Sequence, residues 1–419
     1  MEQTNRKVGE YELDNITISN FRGNAVDIKV SMIDFNIQTD IFNTTMHGEL
    51  RIKDSGDFQQ NLPLIGEEIL KLEFKKEGVS KKIKLLFYVY SLVDKIKRSE
   101  DAFEYVLNFC SIELLLNRGT FISESFTNIE SKDMVKKLLT RLTKKDIDIE
   151  DTSAKINYIA PNITPFEIIN YLTSRTISKN YPNCGSFVFY EDFTGFHFRT
   201  LDSMIKSKIK AKYNFSHKTL ITNDINNELY SINEWKIDQH YDILDNLNKG
   251  GYGITTKVLD PFTRKYDSKT FNMVAKDTYD KISRIDDDYK NALHDENTFL
   301  FSNAANNITK FRLSYNDFNK EHIIGQRYVQ LNQISNNYRL ILQIPGNLEI
   351  TVGDIINLDY TNFSSDSDKK YTDLYLSGKY LITAIKYHCT NTEFHMVLEV
   401  TKDSYNSNHE EHDRIPLIA

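Results

Sequence analysis

Two stretches near opposite ends of the chain follow one pattern, and this similarity limits the folds open to the chain. Residues 65–74 read IGEEILKLEF and residues 352–360 read VGDIINLDY. Each has an apolar residue, a glycine and an acidic residue, followed by alternating apolar positions that end in an aromatic residue. Alternation with a period of two predicts a strand with one buried and one solvated face. Both ends of the chain are therefore predicted to contain β-sheet.

The segment after each stretch also has a common layout. From Tyr90 the chain reads YSLVDKIKRSEDAFEYVLNF, and from Tyr380 it reads YLITAIKYHCTNTEFHMVLEV, so each predicts a pair of strands. A glycine–acidic turn before a hairpin can arise by chance, but the shared order and spacing favour duplication. A chain with two copies of one module presents two quasi-equivalent surfaces, and a trimer of such chains presents six.

Other parts of the first end carry strand patterns too. Residues 48–54 (GELRIKD) and 69–75 (ILKLEFK) alternate apolar with charged residues, as half-buried strands do. Residues 85–93 (LLFYVYSLV) are apolar on both faces, which predicts a central or interface strand. Aromatic residues make up 12% of the chain, and because they favour pleated surfaces they support a mainly β fold.

The middle of the chain has helical signals instead. Ser131 is predicted as the N-cap of a helix whose apolar stripe is Met134, Val135, Leu138, Leu139 and Leu142. A second helix is predicted after Thr164, with Pro165 at its first position and Glu167 completing a capping box. A hairpin follows, with SFVFYE and FHFRT as its strands. These signals predict a separate α+β unit over residues 113–225.

The charge balance argues against tight binding to nucleic acid. The net charge is -7, the pI is near 5.9, and no basic stretch carries interleaved aromatic residues. Proteins that bind by neutralising phosphates are basic, although an acidic wall past which DNA slides is compatible with this composition. The N-terminus lacks the apolar core of a secretory signal, and no window approaches the ~18 apolar residues that span a bilayer. We therefore expect folding in a cytoplasm and no membrane insertion.

The cysteine and histidine patterns give no metal-site signature. Cys110, Cys184 and Cys389 are far apart, which predicts buried free thiols in a reducing compartment. His388 and Cys389 are adjacent and point to opposite faces of a predicted strand, which disfavours a shared site with His395. The sequence HEEHD at 409–413 spaces its histidines three apart, whereas the zinc motif on a helix needs four.

No catalytic constellation stands out either. The carboxylate pairs Glu67–Glu68 and Asp286–Asp288 could be proposed for glycoside hydrolysis, but a turn and a charge run suit a solvated face better. The GGYG at 250–253 lacks the Lys and Ser/Thr of a phosphate-binding loop and predicts a turn or bulge before a strand. We predict no catalytic residue, no metal ligand and no cofactor.

The residues that we single out mark turns and the two copies of the repeat. Gly66 and Gly353 are predicted to need a positive φ or a close backbone approach. Pro345–Gly346 and Asp54–Ser55–Gly56 are predicted turns. The predicted repeat and turn positions are Gly48, Asp54, Gly66, Glu67, Gly346, Gly353, Asp354 and Gly378.

Four stretches in order resemble the central baseplate hub proteins of T-even-type contractile-tail phages, which are related to the hub half of type VI secretion spike proteins. The first is DIFNTTMHGELRIKDSGDFQQNLPLIGEEILKLEF at 40–74, with its Asp-Ser turn and Pro-x-x-Gly-Glu loop. The second runs from Pro161 through the helix to the hairpin that ends at Thr200. The third is GGYGITTKVLDPFTRKY at 250–266, and the fourth is LQIPGNLEITVGDIINLDY at 342–360 followed by SGKYLITAIKYH. Together they span nearly the whole chain.

The resemblance implies an α+β, mainly β fold with two tube-like antiparallel β-barrel domains and an inserted α+β domain. The first barrel domain would cover residues 1–112, and the insertion would cover 113–225 and continue through about 263–310. The second barrel domain would cover 226–262 and 311–403, and an extended tail would cover 404–419. The segment 267–310 and the tail match no pattern that assigns them a role.

The resemblance also implies partners. The family forms a homotrimer around a pseudo-sixfold channel in the virion baseplate, which joins the tail tube protein to the central spike. Because the chain has no C-terminal OB or β-helix domain, the spike would be a separate chain. The tape measure protein and baseplate wedge proteins are further expected partners, and DNA would pass through without sequence-specific binding.

Two other functions fit parts of the sequence. A tail-associated peptidoglycan hydrolase is the first alternative, and lysis in a cell-wall zymogram would favour it. A carbohydrate-binding or adhesion protein is the second, because the chain is rich in aromatic residues. It would present exposed Trp or Tyr platforms, yet Trp235 is the single tryptophan and the tyrosines lie mostly within strand patterns.

Overall fold

A computed structural model describes most of the two β-rich ends and of the middle of the chain. The described residues are 11–20, 22–55, 62–76, 82–99, 102–153, 155–181, 185–215, 229–239, 242–261, 263–272, 285–286, 309–313, 323–363, 370–372 and 376–404. Most of segment 267–310 and the tail from residue 405, including HEEHD, lie outside these residues, as do Gly56, Cys184 and Asp288.

The first end of the chain is all strand. Its elements are β1 (Tyr11–Ser19), β2 (Ala25–Asp27), β3 (Met32–Asp40), β4 (His47–Asp54), β5 (Glu68–Lys76), β6 (Lys82–Lys97) and β7 (Phe103–Ser111). The alternation read from the sequence sets the burial. Leu70, Leu72 and Phe74 of β5 are fully buried, as are Leu50 and Ile52 of β4.

The middle mixes helices with short strands. Its elements are α1 (Ile112–Gly119), β8 (Ser125–Glu130), α2 (Ser131–Leu139), β9 (Asp146–Ile149), β10 (Lys155–Ile159), α3 (Pro165–Thr173), β11 (Phe187–Asp192), β12 (Gly195–Thr200) and α4 (Leu201–Ile205). Their apolar faces enclose a separate core of buried side chains, to which α2, α3 and the β11–β12 hairpin contribute.

The capping chemistry that starts the two predicted helices is found in one case and displaced in the other. The capping box of α3 is present, because Thr164 and Glu167 each bond the other's backbone and Pro165 is the first helical residue. For α2 the N-cap is Glu130 and Ser131 is the first helical residue, so the predicted cap was wrong by one position. The strand β8 runs directly into this helix, which moves its start.

The last part returns to strands. Its elements are β13 (Ile209–Phe215), β14 (Ser231–Ile232), β15 (Glu234–Gln239), α5 (Ile243–Asn248), β16 (Gly253–Asp260), β17 (Lys265–Asn272), β18 (Thr309–Leu313), α6 (Ile323–Asn336), β19 (Tyr338–Pro345), β20 (Ile355–Asp359), β21 (Thr361–Phe363), β22 (Lys370–Thr372), β23 (Gly378–Thr390) and β24 (Phe394–Lys402). The segment GGYG ends directly at β16, as a turn before a strand would.

One sheet of 14 strands links the two ends of the chain. Its path runs β14-β13-β20-β23-β3-β4-β7-β6-β5-β1-β2, and β24, β19 and β15 branch from β23. The buried faces of the two ends join in one apolar core. The fold is thus mainly β with an α+β middle, as predicted, and the described strands form an open, branched sheet rather than a closed barrel.

Candidate functional site

Strand β23 joins the two ends of the chain through main-chain hydrogen bonds. One of its edges pairs with β24 from Leu381 to Cys389. The opposite edge is divided between two partners, because residues 378–381 pair with β20 and residues 384–390 pair with β3. A register shift between Ile382 and Ala384 separates the two halves of β23. We call the pairing of β23 with β3 the β23–β3 junction.

The strands on the two sides of this junction follow one order. On the first side the order is β3-β4-β7-β6-β5-β1-β2, and on the second it is β15-β19-β24-β23-β20-β13-β14. We call these sets the first and second modules. Each has a long central strand, β6 or β23, with a register shift at the same place, after Val89 or Ile382. They differ at one position, since β1 is antiparallel to β5 whereas β13 is parallel to β20.

The strand order makes β3 and β15 equivalent, and their registers agree from the aromatic residue to the Ile, after which β15 has a register shift before Gln239. Phe35 lies opposite Leu50, and Trp235 lies opposite Leu342 in the matching pair of strands. With these aromatics aligned, DFNIQT at 34–39 matches EWKIDQ at 234–239, each an acidic, aromatic, polar and Ile sequence. The repeat predicted from the sequence did not include this match, although the shared spacing of an aromatic residue and Ile could have indicated it.

The face of the joined sheet that points away from the core is polar. A cross-strand row runs over six strands in register: His395, His388, Asn36, Glu49, Asn108 and Ser91. The Asn36 amide donates to Glu49 at 3.1 Å, and Asn108 donates to Ser91 at 2.9 Å. Because these neighbouring polar side chains hydrogen-bond to one another, this face is hydrophilic but carries little unpaired charge.

Charges on the same face are mixed in sign and partly paired. Arg51 lies 3.6 Å from Asp34, and Arg339 lies 2.7 Å from Asp238. The rings of His388 and His395 face one another with centroids 4.6 Å apart. Burial lowers the pKa of both imidazoles, so they are neutral near pH 7. A surface of this kind offers no concentrated positive potential to a polyanion.

A buried ionic cluster attaches the middle α+β unit to the first module. Lys145 lies 2.5 Å from Oε1 of Glu191 and 2.8 Å from Oε2 of Glu113. The other oxygen of Glu191 accepts from the Met46 backbone N–H at 3.0 Å and from the Ser111 hydroxyl at 2.5 Å. Burial alone would lower the pKa of Lys145, but the two carboxylates raise it above its usual range.

The tip of the β11–β12 hairpin reaches the core of both modules. The ring of Phe193 lies 4.4 Å from that of Tyr387 in the second module and 6.2 Å from that of Phe74 in the first. In the same hairpin, the hydroxyl of Tyr190 lies so close to Gly353 that a Cβ at this position would contact it. The hairpin therefore fixes the α+β unit against the place where the modules meet.

The predicted glycine turns begin equivalent strands. Gly66 (φ +92°) precedes β5, and Gly353 (φ +86°) precedes β20. In the first turn, which contains Glu67, the carboxylate of Glu68 accepts from the N–H groups of Ile65 and Gly66. In the second turn Asp354 accepts from the Thr351 N–H at 3.0 Å.

The other predicted positions lie at close backbone approaches or strand ends. A Cβ at Gly48 would lie 2.0 Å from the Asn36 carbonyl oxygen, and one at Gly346 would overlap the ring of Phe394. Asp54 ends β4 beside the hydroxyl of Tyr105. Gly378 begins β23 with φ +125°. These positions are scattered over the sheet and do not form one site.

Apart from the facing rings of His388 and His395, the described groups that were considered as catalytic or metal-binding candidates do not form one cluster. Cys110 and Cys389 are buried free thiols, and burial raises the pKa of both, that of Cys110 to about 11. Within the described ranges no three His, Cys, Asp or Glu side chains gather as metal ligands would. Of the helices in those ranges, none has the length and apolar character needed to cross a bilayer.

Comparison with known proteins gives a relative from a phage baseplate. No family model matches the chain. The probable baseplate hub protein gp334 of Vibrio phage KVP40 is 22% identical over 427 residues, which cover 94% of this chain and 95% of that protein. The expected resemblance to phage baseplate hub proteins is thereby confirmed.

Solved structures show the same fold. The tail protein from Neisseria meningitidis MC58 matches with a TM-score of 0.59 at 10% identity, covering 94% of this chain and 97% of that one. The 43 kDa tail protein of prophage MuSo2 from Shewanella oneidensis matches with a TM-score of 0.58 at 9% identity, covering 93% and 99%. Over nearly its whole length, then, the chain resembles phage baseplate hub proteins in sequence and phage-type tail proteins in fold.

Proposed function

We propose that the chain is the structural baseplate hub of a contractile phage tail, acting as a trimeric ring around a pseudo-sixfold channel. The observation that carries this proposal is the shared strand order of the two modules about the β23–β3 junction. One chain supplies two successive units of similar build, so three chains supply six. Such a ring can match a sixfold partner on one side and a threefold partner on the other.

The modules would act as two tube-like barrels. Each module has a long bent strand, β6 or β23, that would also run in the channel wall. The sheet continues from this strand through β5 and β1 in the first module and through β20 and β13 in the second. Strand bends at register shifts are how sheets turn corners toward closure. The discontinuous α+β domain, held by Lys145 and Phe193, would lie outside the ring and fix the angle between modules.

The polar face of the joined sheet would line the channel. Carboxylates, amides and hydroxyls on this face hydrogen-bond to one another, and the charges that it carries are of both signs. DNA and the tape measure protein would therefore pass without strong or sequence-specific binding, which needs concentrated positive charge or base contacts. This role requires no catalytic residue.

The partners follow from the geometry of a hub. The tail tube protein would stack on one face of the ring, and the central spike, as a separate chain, would attach to the other. Wedge proteins would surround the ring in the virion baseplate. The relative gp334, named as a probable baseplate hub protein, supports this placement.

The oligomeric state of the purified full chain tests the proposal. Mass photometry and negative-stain class averages across micromolar concentrations should show a trimer that forms a ring with six similar lobes. The proposal is wrong if the chain stays monomeric at every concentration and also when it is co-expressed with a spike protein from the same tail.

A further inference from the structure

Among the described strands of one copy, two edges that are equivalent to the β23–β3 junction have no paired strand. In the second module, the last half of β23 has β24 on one edge and β3 on the other. In the first module, β6 pairs with β5 only as far as Val89. From Ser91 to Lys97, the described residues give β6 one partner, β7.

The second uncovered edge belongs to β15. Its equivalent, β3, is paired on both edges, with β4 and with β23. Among the described strands, β15 pairs with β19 alone. Burial follows this difference, since Phe35 and Ile37 of β3 are 0% exposed whereas Trp235 and Ile237 of β15 are 39% and 38% exposed.

Exposed apolar side chains also lie beside the β6 edge, as they do on β15. Tyr90 is 53% exposed, Val93 is 38% exposed and Ile96 is 47% exposed. An unpaired strand edge flanked by exposed apolar residues is a template for pairing with another chain. The two edges lie on different modules, so one copy can offer β6 to one neighbour and β15 to another.

We propose that the last half of β6 in one copy pairs antiparallel with β15 of the next copy, which repeats the β23–β3 junction between chains. This inference rests on the proposed ring and goes further, because it assigns the strands and register of the contact. A head-to-tail contact of this kind closes into a ring when its rotation allows. The occupant of both edges is therefore a second copy of this chain.

The register follows from the junction inside the chain. There Lys386 lies opposite Gln38, and His388 lies opposite Asn36. Val93 takes the place of Lys386, because Val93 faces Val106 as Lys386 faces Val397 in the matching strands. Gln239 takes the place of Gln38, because the register shift in β15 passes over Asp238 and sets Gln239 opposite Arg339, as Gln38 lies opposite His47. Val93 of one copy is thus expected opposite Gln239 of the next, and Ile96 opposite Lys236.

Cross-linking tests the pairing in the full-length chain. Val93→Cys in one preparation and Gln239→Cys in a second are mixed and treated with a short bis-maleimide linker. We expect a covalent heterodimer in high yield, since facing residues on paired strands have Cβ atoms about 5 Å apart. The matched control replaces Val93→Cys with Leu86→Cys, on the part of β6 that pairs with β5, and should cross-link at least tenfold less.

A charged substitution on the free edge gives a second test. Ile237→Lys changes a side chain that is already partly exposed, so the monomer should keep its thermal midpoint while the trimer fraction falls at least tenfold. Ile159→Lys, an exposed position on the α+β unit, should leave the trimer intact.

The outcomes separate this inference from the ring itself. If the wild type is trimeric but cysteines at positions 93 and 239 do not cross-link and Ile237→Lys has no effect, the pairing is wrong and the ring stands. If the wild type never associates, the ring and the pairing both fail.

Discussion

Lys145 and Glu191 form a buried ion pair, with the ammonium nitrogen 2.5 Å from a carboxylate oxygen whose side chain is fully buried. Replacing Lys145→Met leaves Glu191 charged in a site that hydrogen bonds alone must satisfy. We expect the free energy of unfolding to fall by about 2–4 kcal/mol, somewhat less than for a fully buried pair because Lys145 is partly exposed. Urea denaturation followed by circular dichroism measures the change.

Lys137→Met is the control for this loss, because its ion pair with Glu124 lies on the surface of the same unit. It should cost about 1 kcal/mol or less. Burial raises the pKa of Glu191, so the deficit of the Lys145→Met variant should shrink as the pH falls and the carboxylate is protonated. Equal effects of the two substitutions would contradict the importance of the buried cluster.

His197 gives the fold a dependence on pH that can be isolated. Its ring lies 3.0 Å from Asp192 and 3.3 Å from Asp148. Burial opposes the charged ring, but the two carboxylates raise its pKa from 6.5 to about 9. Because the folded value is the higher one, the stabilisation is complete below pH 6.5 and is lost as the pH rises through 9.

The difference between wild type and His197→Gln therefore measures this contribution. At pH 6 the wild type should be more stable by about 1–3 kcal/mol, and by pH 9.5 most of that advantage should be gone. Urea midpoints at four pH values suffice for the measurement. A difference that stays constant over this range would show that His197 does not titrate as stated.

Phe193 is expected to hold the α+β unit to the modules. Phe193→Ala removes a ring that contacts Tyr387 and lies near Phe74, and we expect a loss of about 2–4 kcal/mol. Hydrogen exchange should then rise in β11 and β12 more than in β4. Phe121→Ala, an exposed ring on the same unit, should cost under about 1 kcal/mol. No change in exchange at the hairpin would refute this role.

Gly48 is required by the space between two strands and not by its backbone angle. Gly48→Ala would place a methyl group 2.0 Å from the Asn36 carbonyl oxygen and 2.6 Å from the Phe109 ring, so we expect the thermal midpoint to fall by roughly 2–6 °C. Gly119→Ala meets nothing within 4 Å and should be nearly neutral. Comparable midpoints for the two variants would contradict the close approach.

The sequence predicts local structure well where one residue's neighbours in the chain decide it. Period-two burial of Leu70, Leu72 and Phe74 follows from the pattern alone, and the capping box of Thr164 and Glu167 is complete within four residues. The apolar stretch 85–93 was predicted as a central or interface strand, and β6 lies between β5 and β7 with Leu86 and Tyr90 exposed.

The sequence does not predict which distant strands pair with each other. Nothing in residues 34–40 indicates that their partner is 384–390, because any half-buried strand can pair with any other. In the sequence, Lys145, Glu113 and Glu191 look like three ordinary surface charges. Only the fold brings them together and buries the two carboxylates. The two acidic residues after Gly66 do not reveal which carboxylate closes the turn. It is that of Glu68, because only the folded backbone decides between adjacent acids.

Because part of one edge of β23 pairs with β3, strand β3 must wait during synthesis until β23 has been made. Asp40 leaves the ribosome about 340 residues before Ala384, its partner across the sheet. At about 5–20 residues per second, β3 waits roughly 20–70 s for that partner. During this interval its open edge is exposed to other nascent chains, and the polar side chains of Asp34, Asn36 and Gln38 would discourage premature association. Slowing translation late in the message should therefore lower the soluble yield.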